Sequence, residues 1–262
     1  MTAFISALWI EALKMRRSKV LPITSAAFMT FPFIDGLFMF IMKDPEQARA
    51  LGLVSVKAQM MATTARWTDF FQVLLLGIGI VGAVLFAFIT AWVFGREYTD
   101  RTVKELLALP TPRSTIVAAK FVLIALWIMV LSLVVYVLSL AIGSWVGMPG
   151  WSPELGRSTL GAMLLIVLLT LLLMPVVAWF ASVGRGYLPP LGWTFFMMAL
   201  AQIAGVLGWG DWFPWAVPGL LSNINGVRTE PLPLHSYVVV LVAFALGTAA
   251  TFLWWLRADQ AK

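Results

Sequence analysis

The chain has 262 residues, of which 61% are hydrophobic and 11% charged, and its mean hydropathy is +0.93, too apolar for a soluble domain that must cover its surface with charge. It has no cysteine and one histidine, His235, which removes disulfides, thiolate metal sites and most other metal or acid–base constellations. The net charge of +6 flanks apolar runs instead of lining one face of a soluble fold, so it points to membrane lipid and orientation in the bilayer, not to nucleic acid.

Residues 1–19 read as an amphipathic helix on the membrane surface. Ile5, Leu8, Ala12 and Met15 share one side at helical spacing, Glu11, Lys14 and Ser18 gather on another, and the segment ends in Lys14, Arg16, Arg17 and Lys19. A cleaved signal peptide is the competing reading, but the basic stretch is long, contains Glu11, and leads into a full-length apolar run without an Ala-x-Ala site, so the segment is expected to be retained.

Six apolar runs follow, near 20–42, 70–94, 116–146, 159–183, 188–207 and 236–256. About 20 residues rising about 1.5 Å each cross a hydrocarbon core roughly 30 Å thick. The runs are continuously apolar, not alternating, which predicts helices and excludes a barrel. The expected fold is an all-α integral membrane protein forming one domain over 1–262. Twelve of the eighteen Lys and Arg residues fall on the side that holds both termini and the second and fourth connections, which makes that side the cytoplasm. The first outer connection is polar and of mixed charge. Between the last two spans, Gly208–Leu221 (GWGDWFPWAVPGLL) is too short and Pro-rich to cross yet too apolar for open water. It reads as a re-entrant or interfacial hairpin on the outer face, anchored by Trp209, Trp212 and Trp215.

The most patterned segment is the connection from span two to span three, Gly95–Lys120 (GREYTDRTVKELLALPTPRSTIVAAK). Glu97 with Arg101, Arg101 with Glu105, and Asp100 with Lys104 stand four apart, so a helix here carries its own ion pairs, each contributing roughly 0.2–0.5 kcal/mol. Tyr98, Val103, Leu106 and Leu107 are left to face something apolar, and Pro110 and Pro112 stop the helix. On spacing alone, a solvated connector and a docking helix stand level.

Inside the spans, Asp35 is the clearest charge: either a substrate-path or pairing residue, or a carboxylate close enough to the outer interface to be hydrated. Pro22, Pro32 and Pro175 permit kinks, with packing accommodation favoured over a hinge. Gly143 with Gly147, and Gly79 with Gly82, indicate close helix packing. No Gly-Lys pair exists, hence no P-loop for ATP phosphates, and there is no His-Glu-x-x-His or Gly-x-Ser-x-Gly sequence.

Arg96, Glu97, Tyr98, Thr102, Lys104, Leu106, Leu107, Pro110, Arg113 and Lys120 resemble the cytoplasmic loop of type-2 ATP-binding-cassette (ABC) permeases, in particular the small six-span subunits of antibiotic and bacteriocin resistance exporters. The surface helix, six spans and outer hairpin resemble the same family more loosely. The resemblance implies a coupling helix docked on a separate ABC ATPase, with Arg96, Glu97, Arg101, Lys104 and Glu105 making polar contacts and Tyr98, Leu106 and Leu107 filling apolar pockets. It further implies two ATPase copies that hold the ATP and Mg, a second permease (identical or sister), a bacterial plasma membrane location, and export of an amphipathic or hydrophobic compound such as a peptide antibiotic. No cofactor and no metal are expected on this chain, which is read as a permease without an ATPase site of its own. Arg185, the only charge in the fourth connection, argues against a second coupling contact there. The alternative function is a membrane scaffold or assembly factor that holds a cytoplasmic partner without transport, and an ATP-independent carrier is a third.

Overall fold

The computed structural model describes residues 2–43, 65–103, 111–222 and 232–257. All regular structure among them is helical, and six helices are long and apolar enough to cross a membrane. Helix α1 (Thr2–Arg16) precedes the first span, α2 (Val20–Lys43). The second span, α3, runs Trp67–Thr99 and contains a five-residue π turn, Ile78–Gly82. Then come α4 (Arg113–Val146), α5 (Pro153–Val183) and α6 (Leu188–Val206). A 3-10 turn, Gly210–Trp212, and a short helix α7 (Val217–Leu221) lead to the last span, α8 (Leu234–Arg257).

Several spans outrun their apolar windows. α4 has 34 residues, a length of about 51 Å at about 1.5 Å per residue, so its ends stand beyond a hydrocarbon core about 30 Å thick. The extra turns carry the polar residues that the sequence reading assigned to connections: Arg96, Glu97 and Tyr98 belong to the end of α3, and Arg113 and Lys120 to the start of α4.

Local chemistry sets the boundaries. Ser152 caps α5, its Oγ accepting from the Leu155 N–H at 3.1 Å, with Pro153 in the first turn and Glu154 on the favourable end of the helix dipole. α4 ends where Gly147 turns left-handed (φ 67°), and the Lys43 ammonium donates to the carbonyls of Val146 and Gly147 at 2.6 and 3.0 Å.

α5 is the centre of the bundle, packed by α3, α6 and α8. Gly247 of α8 lies so close to α5 that an added Cβ would stand 2.6 Å from the Val176 backbone nitrogen. Thr251, one turn further on, donates to the Pro175 carbonyl at 3.0 Å. Pro175 thus marks a place where two backbones meet, the packing accommodation favoured from sequence. Phe70, Phe71, Phe86 and Phe94 of α3 are fully buried in the same core.

Two expectations change. α1 does not present Glu11 to water: Ala7, Glu11 and Met15, each four apart, are buried on the side packed against α4, while Ile5, Trp9 and Ile10 are exposed. The helix meets apolar surroundings on both sides, and its acid is buried because cations neutralise it there. The segment after α6 folds onto the bundle, with Gly210, Ala216, Val217 and Pro218 buried and α7 against α5 and the π turn. Trp209 and Trp212 are exposed as expected, but Trp215 is half-buried.

Candidate functional site

At the α1 end of the bundle, four ionised side chains from three helices close a ring. Lys120 of α4 is fully buried and its ammonium donates to Glu11 Oε2 at 2.9 Å, Glu97 Oε1 at 3.0 Å and the Val93 carbonyl at 3.0 Å, using all three N–H bonds. Lys14 of α1 donates to Glu11 Oε1 and Glu97 Oε1, both at 2.9 Å. The second oxygen of Glu97 accepts from the Thr102 hydroxyl at 2.7 Å. Both lysines reach both acids, the Arg96 Nε stands 4.0 Å from Glu97 Oε1, and every carboxylate oxygen has a donor, which is the condition under which buried charges are tolerated. Burial alone would raise the Glu11 carboxyl, but the charges of Lys120 and Lys14 outweigh it and hold Glu11 below the ordinary carboxylate range.

α3 ends directly beneath this ring. The N–H of Thr102 donates to the Glu97 carbonyl at 3.0 Å and that of Arg101 to the Tyr98 carbonyl at 3.3 Å, a Schellman turn with Arg101 in the left-handed position (φ 58°) usually held by glycine. The expected helical pair of Glu97 with Arg101 therefore does not form: the helix stops between them, and Glu97 turns inward. Glu97 is buried, Arg96 lies over the Trp92 ring at 4.7 Å, and Tyr98 is half-buried with its hydroxyl 3.4 Å from Trp254 Nε1. Of the residues expected to meet a partner, Arg101 is exposed, while Lys104, Glu105, Leu106 and Leu107 lie outside the described residues.

The fourth connection joins the same assembly. An added Cβ on Gly95 would lie 2.9 Å from the Gly186 carbonyl oxygen, and Tyr187 shares a side-chain hydrogen bond with Thr99. α5 ends as α3 does, with Gly186 N–H donating to the Ala181 carbonyl at 3.2 Å and Arg185 left-handed (φ 50°). The turn after α5 thus packs on the end of α3.

Asp35 sits far from the ring. It is only 2% exposed, and neither carboxylate oxygen has a hydrogen-bond partner. Its neighbour Gly36 abuts Ile142 of α4, and Lys43, two turns along α2, is engaged at the end of α4. Asp35 thus stands inside the protein and off its open surface. A separate cavity of about 40 Å³ lies beside the π turn, lined by Gly79, Thr170, Met198, Gln202 and Trp215. The indole N–H of Trp215 is buried without a partner, and the sequence reading had touched this place through the Gly79–Gly82 pair and through Trp215, taken there as an interfacial anchor. Among the described residues, no group of three or more His, Cys, Asp or Glu could hold a metal.

Three helices thus converge on a largely buried ion cluster, and the pattern of the family described as ABC-2 family transporter protein matches residues 7–201, from α1 into α6. The chain belongs to the ABC-2 family of transporter proteins. It is 26% identical over 192 residues to the bacitracin transport permease protein BCRB of Bacillus licheniformis, covering 73% of this chain and 89% of that one. No solved structure matches. As an ABC-2 transporter protein, it is a multi-pass bacterial membrane protein and the membrane-spanning subunit of an ABC exporter. The family match contains Asp35 and every member of the ion cluster.

Proposed function

We infer that this chain forms the translocation path for an amphipathic compound of the peptide-antibiotic kind, with bacitracin, named for its relative, as the first candidate. Energy comes from two copies of a separate cytoplasmic ABC ATPase that hold ATP and Mg. A second permease, identical or sister, completes the path, and both termini lie in the cytoplasm. Arg101 with Lys104, Glu105, Leu106 and Leu107 is the docking segment. The observation that carries this reading is the buried cluster of Glu11, Lys14, Glu97 and Lys120. It fixes the helix leading into the docking segment to α1 and α4, so displacement of that segment moves three helices as one body. Glu97, expected to touch the ATPase, acts instead inside the permease. Asp35 is the candidate contact on the substrate path.

The test is tagged purification from native membranes in mild detergent, with bacitracin resistance scored in the same strains. The reading requires an ABC ATPase to copurify and Leu106→Asp to release it. Asp35→Asn should lower resistance at unchanged protein level. If no ATPase copurifies under several gentle conditions, the scaffold and independent-carrier readings replace this one; unchanged resistance in Asp35→Asn removes Asp35 from the path.

A further inference from the structure

A groove runs between α1, the start of α2 and α4, on the flank of the ion cluster. Its volume is about 220 Å³ and its walls are Met15, Leu21, Leu123, Leu126, Trp127 and Val130. Leu126 and Val130 are about half exposed, so the groove opens sideways toward hydrocarbon, and the Trp127 indole N–H, 3.3 Å from Thr24 Oγ1, braces its floor. The turn that joins α1 to α2 lies between two wall residues, Met15 and Leu21, and carries Arg16, Arg17 and Lys19, all exposed. None of the three makes an ion pair with a described residue. Ser18 holds the turn, its hydroxyl donating to the Met15 carbonyl at 2.7 Å and accepting from the Val20 N–H at 3.3 Å.

The acid nearest in sequence, Glu11, is already matched inside the cluster, so the mouth of the groove keeps three cations that no described acid pairs, beside an apolar slot. We propose that this groove, with Arg16, Arg17 and Lys19 at its mouth, is a binding site for one anionic phospholipid, an acyl chain along the groove and its phosphate on the turn. A zwitterionic lipid fills the slot but brings its own cation to the turn, and free phosphate leaves the slot empty. The site also couples to the cluster. Met15 and Ala12 line the groove, and Lys14 beside them donates to both Glu11 and Glu97, so a bound lipid steadies the helix on which the cluster is built.

The purified full chain is titrated in detergent with phosphatidylglycerol, phosphatidylcholine and glycerol phosphate, and bound lipid is counted by native mass spectrometry alongside thermal melting. One phosphatidylglycerol per chain is expected to bind, roughly tenfold or more tighter than phosphatidylcholine, given the attraction each basic residue adds. The triple change Arg16→Gln, Arg17→Gln, Lys19→Gln should abolish the preference, and Val130→Trp, which fills the slot at a half-exposed position, should weaken both lipids. Equal binding of the two lipids overturns the proposal, as does phosphatidylglycerol binding that both variants leave unchanged. Stabilisation by glycerol phosphate equal to that by the lipid, undiminished by Val130→Trp, reduces the site to a phosphate contact and also overturns it. If the triple variant does not purify folded, Lys19→Gln and Val130→Trp carry the same comparison. The readout needs no ATPase, so its failure is separate from failure of the exporter reading.

Discussion

Lys120→Met tests the ion cluster most directly, because methionine keeps most of the side-chain volume and deletes only the charge. The change strips Glu11 Oε2 of its donor and the Val93 carbonyl of its lysine, and leaves Lys14 as the one cation that Glu11 and Glu97 share, with Arg96 4.0 Å from Glu97. Removing one partner of a buried ion pair typically costs about 3–5 kcal/mol, since a desolvated charge is left behind. Thermal unfolding of the detergent-purified chain, or its yield as a fluorescent fusion, reads the loss. A cycle with Glu97→Gln isolates the pair: the double variant should lose less than the sum of the singles by about 1 kcal/mol or more. The exchanged pair Glu97→Lys with Lys120→Glu restores the cluster's original net charge and should recover folding better than either single reversal. A loss under about 1 kcal/mol for Lys120→Met, with strictly additive effects in the cycle, would refute a desolvated cluster.

Three further outcomes follow from the geometry. Because Glu11 is held below the ordinary carboxylate range, its contribution to stability is complete above that range and is lost as pH falls through its depressed value; Glu11→Gln should flatten this acid limb of a melting-temperature profile. Gly247→Ala places a methyl 2.6 Å from the Val176 nitrogen and should cost about 1–3 kcal/mol through separation of α5 and α8, read by thermal melting against Gly192→Ala, which meets nothing within 4 Å. Arg101→Gly removes a left-handed side chain and should stabilise the chain by about 1 kcal/mol, while weakening copurification of an ATPase if the exposed arginine docks it.

The six spans were legible because a hydrocarbon solvent demands long uninterrupted apolar runs, and Asp35 stood out as the charge that breaks one. The ion cluster was not legible as a unit. Glu11 and Lys14 look like the wet face of a surface helix, and Lys120 like the basic flank of a span; only the packing of α1 on α4 brings them to Glu97. Spacing four apart also misled at Glu97 and Arg101, because no glycine or asparagine announces the Schellman turn that separates them. The cavity beside the π turn had no chemical signal, since its shape comes from helix geometry. Conversely, Gly247 was passed over in sequence although it permits a close approach between α5 and α8.

The π turn of α3 has a consequence for chain length. Each residue advances a helix by about 100°, so deleting one residue from Ile78–Gly82 would restore ordinary helical winding with both halves in place, whereas ordinary winding of the undeleted sequence would rotate everything before it by about that angle. Trp67, Phe70, Phe71 and Leu74, now buried, would swing away from the core they fill. The turn therefore works as a phase adjuster between two halves of one span: the half that ends at Glu97 keeps its setting, and the half that begins at Trp67 keeps another, which an uninterrupted α-helix of the same sequence could not give both at once.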